Sequence, residues 1–447
     1  MRPRGTFRRQ IDVKVATVTD RLIRHVVDEE RLAVVQAPPG SGKTHLLLRA
    51  AKEAYRARQR VSVATQTRSQ ADDICRRFSE AGVPAIRFVA HGDTGAEQPP
   101  GIDAIARHQD LPHGPCIAVG TTAKWGLIEL ADPFDVLFVE EAWQMAWADF
   151  MLLGQVAGRF VLIGDPGQIA PVVSIDASRW ETAPRAPHRP APELVLSEHR
   201  KSALDLSLPA TRRLPACTAG LIRPFYDFPF DAWAEPGERL LVPLRRVAGV
   251  RGAVIERLGR SSVVGVTLPT PEGGPPLECD SEVAATAVGI ARGILESQPD
   301  WVMGQARRRL RPPDIGLCAT HHVMNAEMAL HLDRRLDGIN IDTPERWQGL
   351  QRKVMIIVHP LSGVVQPSAF DLETGRLCVM ASRHEIALVV VTRNHLPETL
   401  DSHMPAAEQA VGRPDVSGRG HHQNTVFWGA LVERDQVVEA RGPESVG

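Results

Sequence analysis

Short runs rich in Val, Ile and Leu recur along the first part of the chain, each followed by a polar turn and then by apolar positions at helical spacing. The segments LAVVQAPPGSGKTHLLLRAAKEAY, VSVATQTRSQADDICRRFSEAG, CIAVGTTAKWGLIEL, VLFVEEAWQM and RFVLIGDPGQ all have this form. A strand buried on both faces reads as a continuous apolar run. Repeated strand-then-helix units predict a parallel sheet with crossover helices on its faces. Residues 1–195 are therefore expected to form one α/β domain. The stretch SRWETAPRAPHRPAPE, residues 178–193, cannot hold a regular element across its prolines, and is expected to carry the chain between domains. A second series, RLLVPL, SSVVGVTLPT, SEVAATAVGIARGILES, IGLCAT, KVMIIVHPL and IALVVVTRN, predicts a second α/β domain over 196–400. Residues 401–447 are left as a tail with an amphipathic helix at NTVFWGALVERDQVVEA.

Composition narrows the class. A chain of 447 residues exceeds one ordinary core, and 43% hydrophobic with 23% charged residues is a soluble globular balance. No apolar run is long enough to span a bilayer, and the basic start MRPRGTFRRQ leads into no apolar leader region, so a cytoplasmic protein with no membrane partner is expected. The net charge of −1 excludes a strongly basic nucleic-acid coat and confines any polynucleotide binding to a local groove. Six scattered cysteines without a C-x-x-C pair offer neither a disulfide framework nor a zinc site. His321–His322 and His421–His422 lack further ligands at metal spacing, and the charge run RRRLRPP at 307–313 reads as solvated surface.

The candidate chemistry begins at VVQAPPGSGKT, residues 34–44, where a strand feeds a glycine-rich turn and a helix start. In the turn Pro39-Gly40-Ser41-Gly42-Lys43 the backbone N–H groups from Gly40 onward, with the helix N-terminus, suit a phosphate chain. Lys43 suits its terminal oxygens, and Thr44 suits Mg²⁺. Ala37 stands at the position where this pattern usually begins with Gly. In FDVLFVEEAWQM an apolar strand runs straight into Glu140 and Glu141, and two carboxylates at a strand end need a cation to absorb their charge. Glu140 is assigned to the metal and Glu141 to the general base that polarises the attacking water. VLIGDPGQIAPV then places Asp165 and Gln168 beside the same sheet edge, Gln168 suited to bonding the γ-phosphate or the water. Trp143 and Trp347 lie inside these and later motifs, where core packing competes with a nucleotide contact.

The ordered set APPGSGKT, TQTRSQA, VGTTAK, VEEAWQM, GDPGQIAPV, LSEHR, ERWQGLQ and VMASRHEIALVVV resembles motifs I, Ia, Ic, II, III, IV, V and VI of superfamily-1 helicases, nearest to the branch of the up-frameshift RNA helicases, and RPFYDFPF resembles that branch as well. The resemblance implies two tandem RecA-like P-loop domains with parallel sheets flanked by helices. It further implies hydrolysis of Mg²⁺-ATP in the cleft between them, coupled to 5′-to-3′ movement on single-stranded DNA or RNA. It assigns Arg200 and Arg383 as arginine fingers supplied by the second domain to the γ-phosphate. Gln348 and Gly349 match the element linking nucleotide state to the strand, and Gln351 stands where relatives usually carry Glu. Thr65, Thr67, Thr121 and Thr122, with Thr320 and Thr343 in the second domain, match positions that hold phosphodiester oxygens. For each threonine the ordinary role at a strand end or helix cap is the competing reading. No adenine-selecting Gln precedes the loop at the usual place. The alternative of another class is a nucleotide-dependent switch or scaffold ATPase that regulates a protein partner with little or no unwinding.

Overall fold

The computed structural model describes residues 6–92, 98–171, 177–180, 183–405 and 416–440. The chain divides into two compact units: residues to Pro166 with Ala170–Ala210 make the first, and Gly167–Ile169 with the chain from Thr211 onward make the second.

The first unit is built on strands β1 (Leu32–Gln36), β2 (Val61–Thr65), β3 (Ala85–Phe88), β4 (Ile102–Ile105), β5 (Ile117–Thr121), β6 (Val136–Glu140), β7 (Phe160–Gly164) and β8 (Leu204–Ser207). They form one sheet in the order β4-β3-β5-β2-β6-β7-β1-β8, and every pair is parallel. Its helices are α1 (Thr6–Val27), α2 (Lys43–Arg56), α3 (Arg68–Glu80), α4 (Thr122–Gly126), α5 (Trp147–Leu152) and α6 (Ala191–His199). Alternation along the strands explains the continuous apolar runs. Ala33, Val35, Val61, Val63, Val136 and Phe138 enter one core, while Val34, Ala64, Leu137 and Val139 enter the core on the opposite face.

Two features depart from expectation. The proline-rich stretch does not leave the first unit: Pro190 bridges to Ala146 and opens α6, whose Ala191, Leu194 and Val195 are buried. Its residues 181 and 182 lie outside the described residues. After α6 the chain adds β8 to the sheet edge beside β1, in register from Ala33↔Leu204 to Gln36↔Ser207.

The second unit opens with a ribbon of two-residue strands, β9 (Ala210–Thr211) and β10 (Asp231–Ala232). Its remaining strands are β11 (Arg239–Val242), β12 (Val263–Leu268), β13 (Asp300–Met303), β14 (Ala306–Arg309), β15 (Ile315–Cys318), β16 (Asn340–Asp342), β17 (Arg352–Val358), β18 (His384–Arg393) and β19 (Val437–Glu439). Its helices are α7 (Ala216–Ile222), α8 (Gly249–Leu258), α9 (Ser281–Glu296), α10 (His322–Leu330), α11 (Pro344–Trp347), α12 (Thr374–Ala381), α13 (Leu396–Ser402) and α14 (Val416–Glu433). The main sheet runs β16-β15-β17-β18-β12-β19 with all pairs parallel. Val264, Val354 and Ile356 face one core, and Val263, Met355 and Ile357 the other. The protein is thus α/β, with two parallel sheets flanked by helices, the architecture of tandem RecA-like domains.

RLLVPL does not join the main sheet. As β11 it pairs antiparallel with β13, and β13 with β14. Its alternating burial is that of a strand with one covered face. The first three residues of the charge run, Arg307 to Arg309, lie exposed on β14, with Arg307 and Arg309 both donating to Asp300 at 2.9 and 2.8 Å, and Leu310 after them is buried. The tail is structural as well as helical: after α14 the chain returns as β19 beside β12, Gly265↔Val437. Among the described residues no helix is long and apolar enough to cross a membrane.

Candidate nucleotide site

The glycine-rich loop leaves β1 anchored by the Ala37 N–H, which donates to the Gly164 carbonyl on the neighbouring β7 at 2.8 Å. Gly40 and Gly42 take φ of 67° and 90°, and a side chain at Gly42 would meet nothing within 4 Å. Glycine is required there for its backbone conformation, not for space. Gly42 is also the N-cap of α2 and makes no side-chain capping bond, and no acid sits in the first turn. No capping side chain or acid therefore competes with an anion at the start of α2. Ser41 is 5% exposed and its Oγ is a buried polar atom without a partner. A buried hydroxyl at the mouth of a loop of this shape fits a phosphate oxygen, so the residues present suit a nucleotide.

β7 lies between β1 and β6, which sets the end of β6 across from the start of α2. Gly164, the last residue of β7, permits the close approach of the turn after β6: a Cβ there would stand 2.8 Å from the Ala142 nitrogen. Thr44 Oγ1 donates to Glu140 Oε1 at 2.6 Å, and Lys43 Nζ pairs with Glu141 Oε1 at 2.9 Å. Glu141 sits at φ 51° and ψ 43°, a left-handed conformation that costs a non-glycine residue on the order of 1–2 kcal/mol. Burial, reinforced by the neighbouring Glu141, pushes the Glu140 carboxyl up to about 7, against the opposing pull of the Thr44 hydrogen bond and the Lys43 charge. The Thr44 hydroxyl and the Glu140 carboxylate form a hard oxygen pair suited to Mg²⁺. The two acids thus divide the available partners, one with the hydroxyl and one with the ammonium.

The other expected residues fall into three groups. Thr65 and Thr121 end adjacent strands and pair in register, so Thr65, Thr67, Thr121 and Thr122 do converge at one end of the sheet. Their hydroxyls are already engaged locally. Thr65 Oγ1 donates to the Thr67 carbonyl, and Thr122 Oγ1 to the Thr65 carbonyl. Thr67 caps α3 in a capping box with Gln70, and Thr121 caps α4 through the Lys124 N–H. Gln168 is 7% exposed and segregates with the second unit, whereas Asp165, fully buried, stays with the first.

Arg200 requires a correction of place. The resemblance put it in the second domain, but it is the exposed C-cap residue of α6 and belongs to the first unit. The physical reason is β8, which follows α6 and keeps that stretch in the first sheet. In the second unit Arg383 is 2% exposed; its Nε donates to the Val379 carbonyl at 3.2 Å, while its Nη2 is buried without a partner. Gly349 has φ of 79°. Gln351 accepts from Arg213 Nε at 2.9 Å, a pairing that sequence reading missed; the doubled arginine ahead of Pro215 was its only signal. Thr343 is buried at the N-cap of α11 without a side-chain capping bond. Trp143 and Trp347 are core residues at 4% and 0% exposure, and Trp347 Nε1 donates to the Leu317 carbonyl. All six cysteines are free, and among the described residues no group of His, Cys, Asp and Glu could hold a metal by itself.

With that geometry in view, residues 19–188 match the family model described as an AAA domain. No curated protein matches. Among solved structures the chain is similar to the PRRSV helicase, at 16% identity and a TM-score of 0.41 over 86% of this chain and 54% of that one. It is also similar to arterivirus nonstructural protein 10 (helicase), at 15% identity and a TM-score of 0.43 over 90% and 64%. The complex of that arterivirus protein with DNA matches at 15% identity and 0.42 over 90% and 65%. The chain spans between 54% and 65% of the length of these structures. The matched span contains the glycine-rich loop, β6 and the Glu140–Glu141 pair of the first unit.

Proposed function

We propose that this protein is a nucleic-acid-dependent ATPase of the superfamily-1 helicase kind, a translocase or helicase on single-stranded DNA or RNA. The observation that carries the reading is the double pairing at the loop, Lys43 with Glu141 and Thr44 with Glu140. A nucleotide's terminal phosphates compete for Lys43 and release Glu141, which then accepts a proton from the attacking water. Thr44 and Glu140 are the residues that would hold Mg²⁺, which would supply charge neutralisation at the phosphates. The ordered motifs support a single strand as the regulating polymer, and Thr121 at the end of β5, whose hydroxyl accepts from the Lys124 N–H and keeps its own proton to donate, supports a grip by small donors rather than by lysines. Arg383, buried with an unpartnered N–H, is the second unit's candidate for stabilising charge on the γ-phosphate.

A second reading, a nucleotide-dependent switch acting on a protein partner, is favoured by one observation: Arg200, expected as a second finger, lies in the first unit. Steady-state phosphate release separates the two. It is measured without polymer, with single-stranded DNA and with single-stranded RNA, beside Glu141→Gln. Stimulation by a polymer that the variant abolishes establishes the first reading. Rates that match the variant in all three conditions leave the second.

A further inference from the structure

The small antiparallel sheet β11-β13-β14 of the second unit ends on β14. This strand bonds to β13, and among the described residues no strand pairs with its other side. All four of its residues, Ala306–Arg309, are exposed. The ladder decides which of its backbone groups face outward. The Leu310 N–H donates to the Pro299 carbonyl at 3.0 Å, one step beyond the register pair Arg309↔Asp300. Pairs that exchange hydrogen bonds alternate with pairs that do not. Leu310 and Arg308 therefore bond inward to β13, and Arg307 and Arg309 turn their N–H and C=O groups to the open edge.

The same two residues carry the charge. They stand two apart, so their side chains share one face of the strand, and each donates its Nε to Asp300 on β13, at 2.9 and 2.8 Å. The bonds from Arg309 and then Arg307 hold the Asp300 carboxyl below the usual carboxylate range, so one negative charge stands between two positive ones. The rest of each guanidinium is open to a further anion, with the Arg307 side chain 55% exposed and that of Arg309 46%. From Asp300 to Arg309 the chain holds three arginines, one aspartate and no other charge. The opposite face of the sheet is closed: Trp301 and Leu241 are buried there, and Lys353 Nζ lies 4.5 Å over the Trp301 ring.

A charged edge can serve only to repel other strands. Here the acid sits on the inner neighbour, and it draws both guanidiniums towards β13 and away from the outer backbone groups. The edge is thereby left uncovered while its positive charge stays in excess. We infer that β14 accepts an extended segment of a protein partner as a fourth strand, with acidic side chains at alternate positions opposite Arg307 and Arg309. Main-chain bonds to those two residues supply the attachment, and the cross-strand carboxylates supply the selection. Neither the loop around Lys43 nor the threonines of β2 and β5 take part, so the edge is independent of the function proposed above.

The test uses the full chain and a labelled peptide, Thr-Glu-Thr-Glu-Thr-Glu-Thr, followed by fluorescence anisotropy. Its controls are the same peptide methylated on the glutamate backbone nitrogens, and a version with Lys for Glu. The acidic peptide is expected to bind about tenfold tighter than the methylated one, the order of effect of losing the main-chain bonds, and the lysine peptide is expected not to bind. Arg307→Gln with Arg309→Gln, both at exposed positions, should weaken the acidic peptide about tenfold and leave phosphate release unchanged. Unfolding curves check that the variant folds. Equal binding of the methylated and unmethylated peptides means charge contact without an added strand, and overturns the inference. Displacement of the peptide by oligothymidylate, with the double variant weakening both alike, makes the edge a phosphate surface and overturns it as well. Absence of saturable binding of the acidic peptide up to millimolar concentration overturns it outright.

Discussion

The loop of the first unit and the open edge of the second hold charge in opposite ways. Where β1 and β6 finish in the first unit, the polar groups are largely occupied with one another: an ammonium on one carboxylate, a hydroxyl on the next. On β14 in the second, two guanidiniums divide a single carboxylate. The first arrangement answers to ligands that displace a partner, because only a phosphate or a metal can outbid those pairings. The second carries positive charge in excess and answers to a ligand that adds an acid without removing one. A matched, buried site thus selects by exchange, and an unmatched, exposed edge by addition.

Removing one member of a buried ion pair tests the contrast most forcefully. Arg393→Ala strips the cation from Asp280 and leaves its buried carboxylate with only the Val283 N–H at the start of α9; the expected loss is about 3–5 kcal/mol of stability, read by urea unfolding. Glu141→Gln and Lys43→Ala leave the fold intact and lower phosphate release on the order of a hundredfold or more, read by steady-state ATPase assay. Glu140→Gln moves stability the other way. Its folded pKa of about 7 lies above the ordinary carboxylate value of 4.5, so the folded protein holds that proton more tightly than the unfolded chain. The contribution is fully present below pH 4.5 and is lost as pH rises through about 7. At pH 8 the nucleotide-free variant should be more stable than the parent by roughly 3 kcal/mol, and the gap should close towards pH 4.5 in thermal melts. A parent melt without that slope would show that Glu140 is already ionised. The smallest effect tests the threonines: Thr121→Ala removes the cap of α4 at a cost of about 1 kcal/mol. If it instead abolishes strand binding with no change in melting temperature, the hydroxyl serves the polymer and not the cap.

The loop site was legible in the sequence because its parts are local. Gly40-Ser41-Gly42-Lys43-Thr44 and Glu140-Glu141 are each contiguous, and each follows an apolar run that could only be a buried strand. The extent of the first unit was less legible. β8 buries little beyond Leu206, as an edge strand can, so its apolar signal is weak and the prolines upstream suggested a boundary. The same gap drew Arg200 to the wrong unit. The open edge was legible only in part. The arginines of RRRLRPP stand out in the chain, but read as solvated surface. Asp300 lies seven residues before Arg307, across a turn, and only the pairing of β13 with β14 brings it beside two of them.

The closing strand β19 has a consequence for how the protein comes into being. The first sheet is complete once Ser207 has been made, so it can fold while synthesis continues. The second must wait: β12 has no neighbour on its outer side until Val437–Glu439 arrives. During translation the nascent second unit therefore carries an open strand edge next to Val263–Leu268, and that edge is the point at which a stalled or prematurely ended chain is most exposed to misassociation.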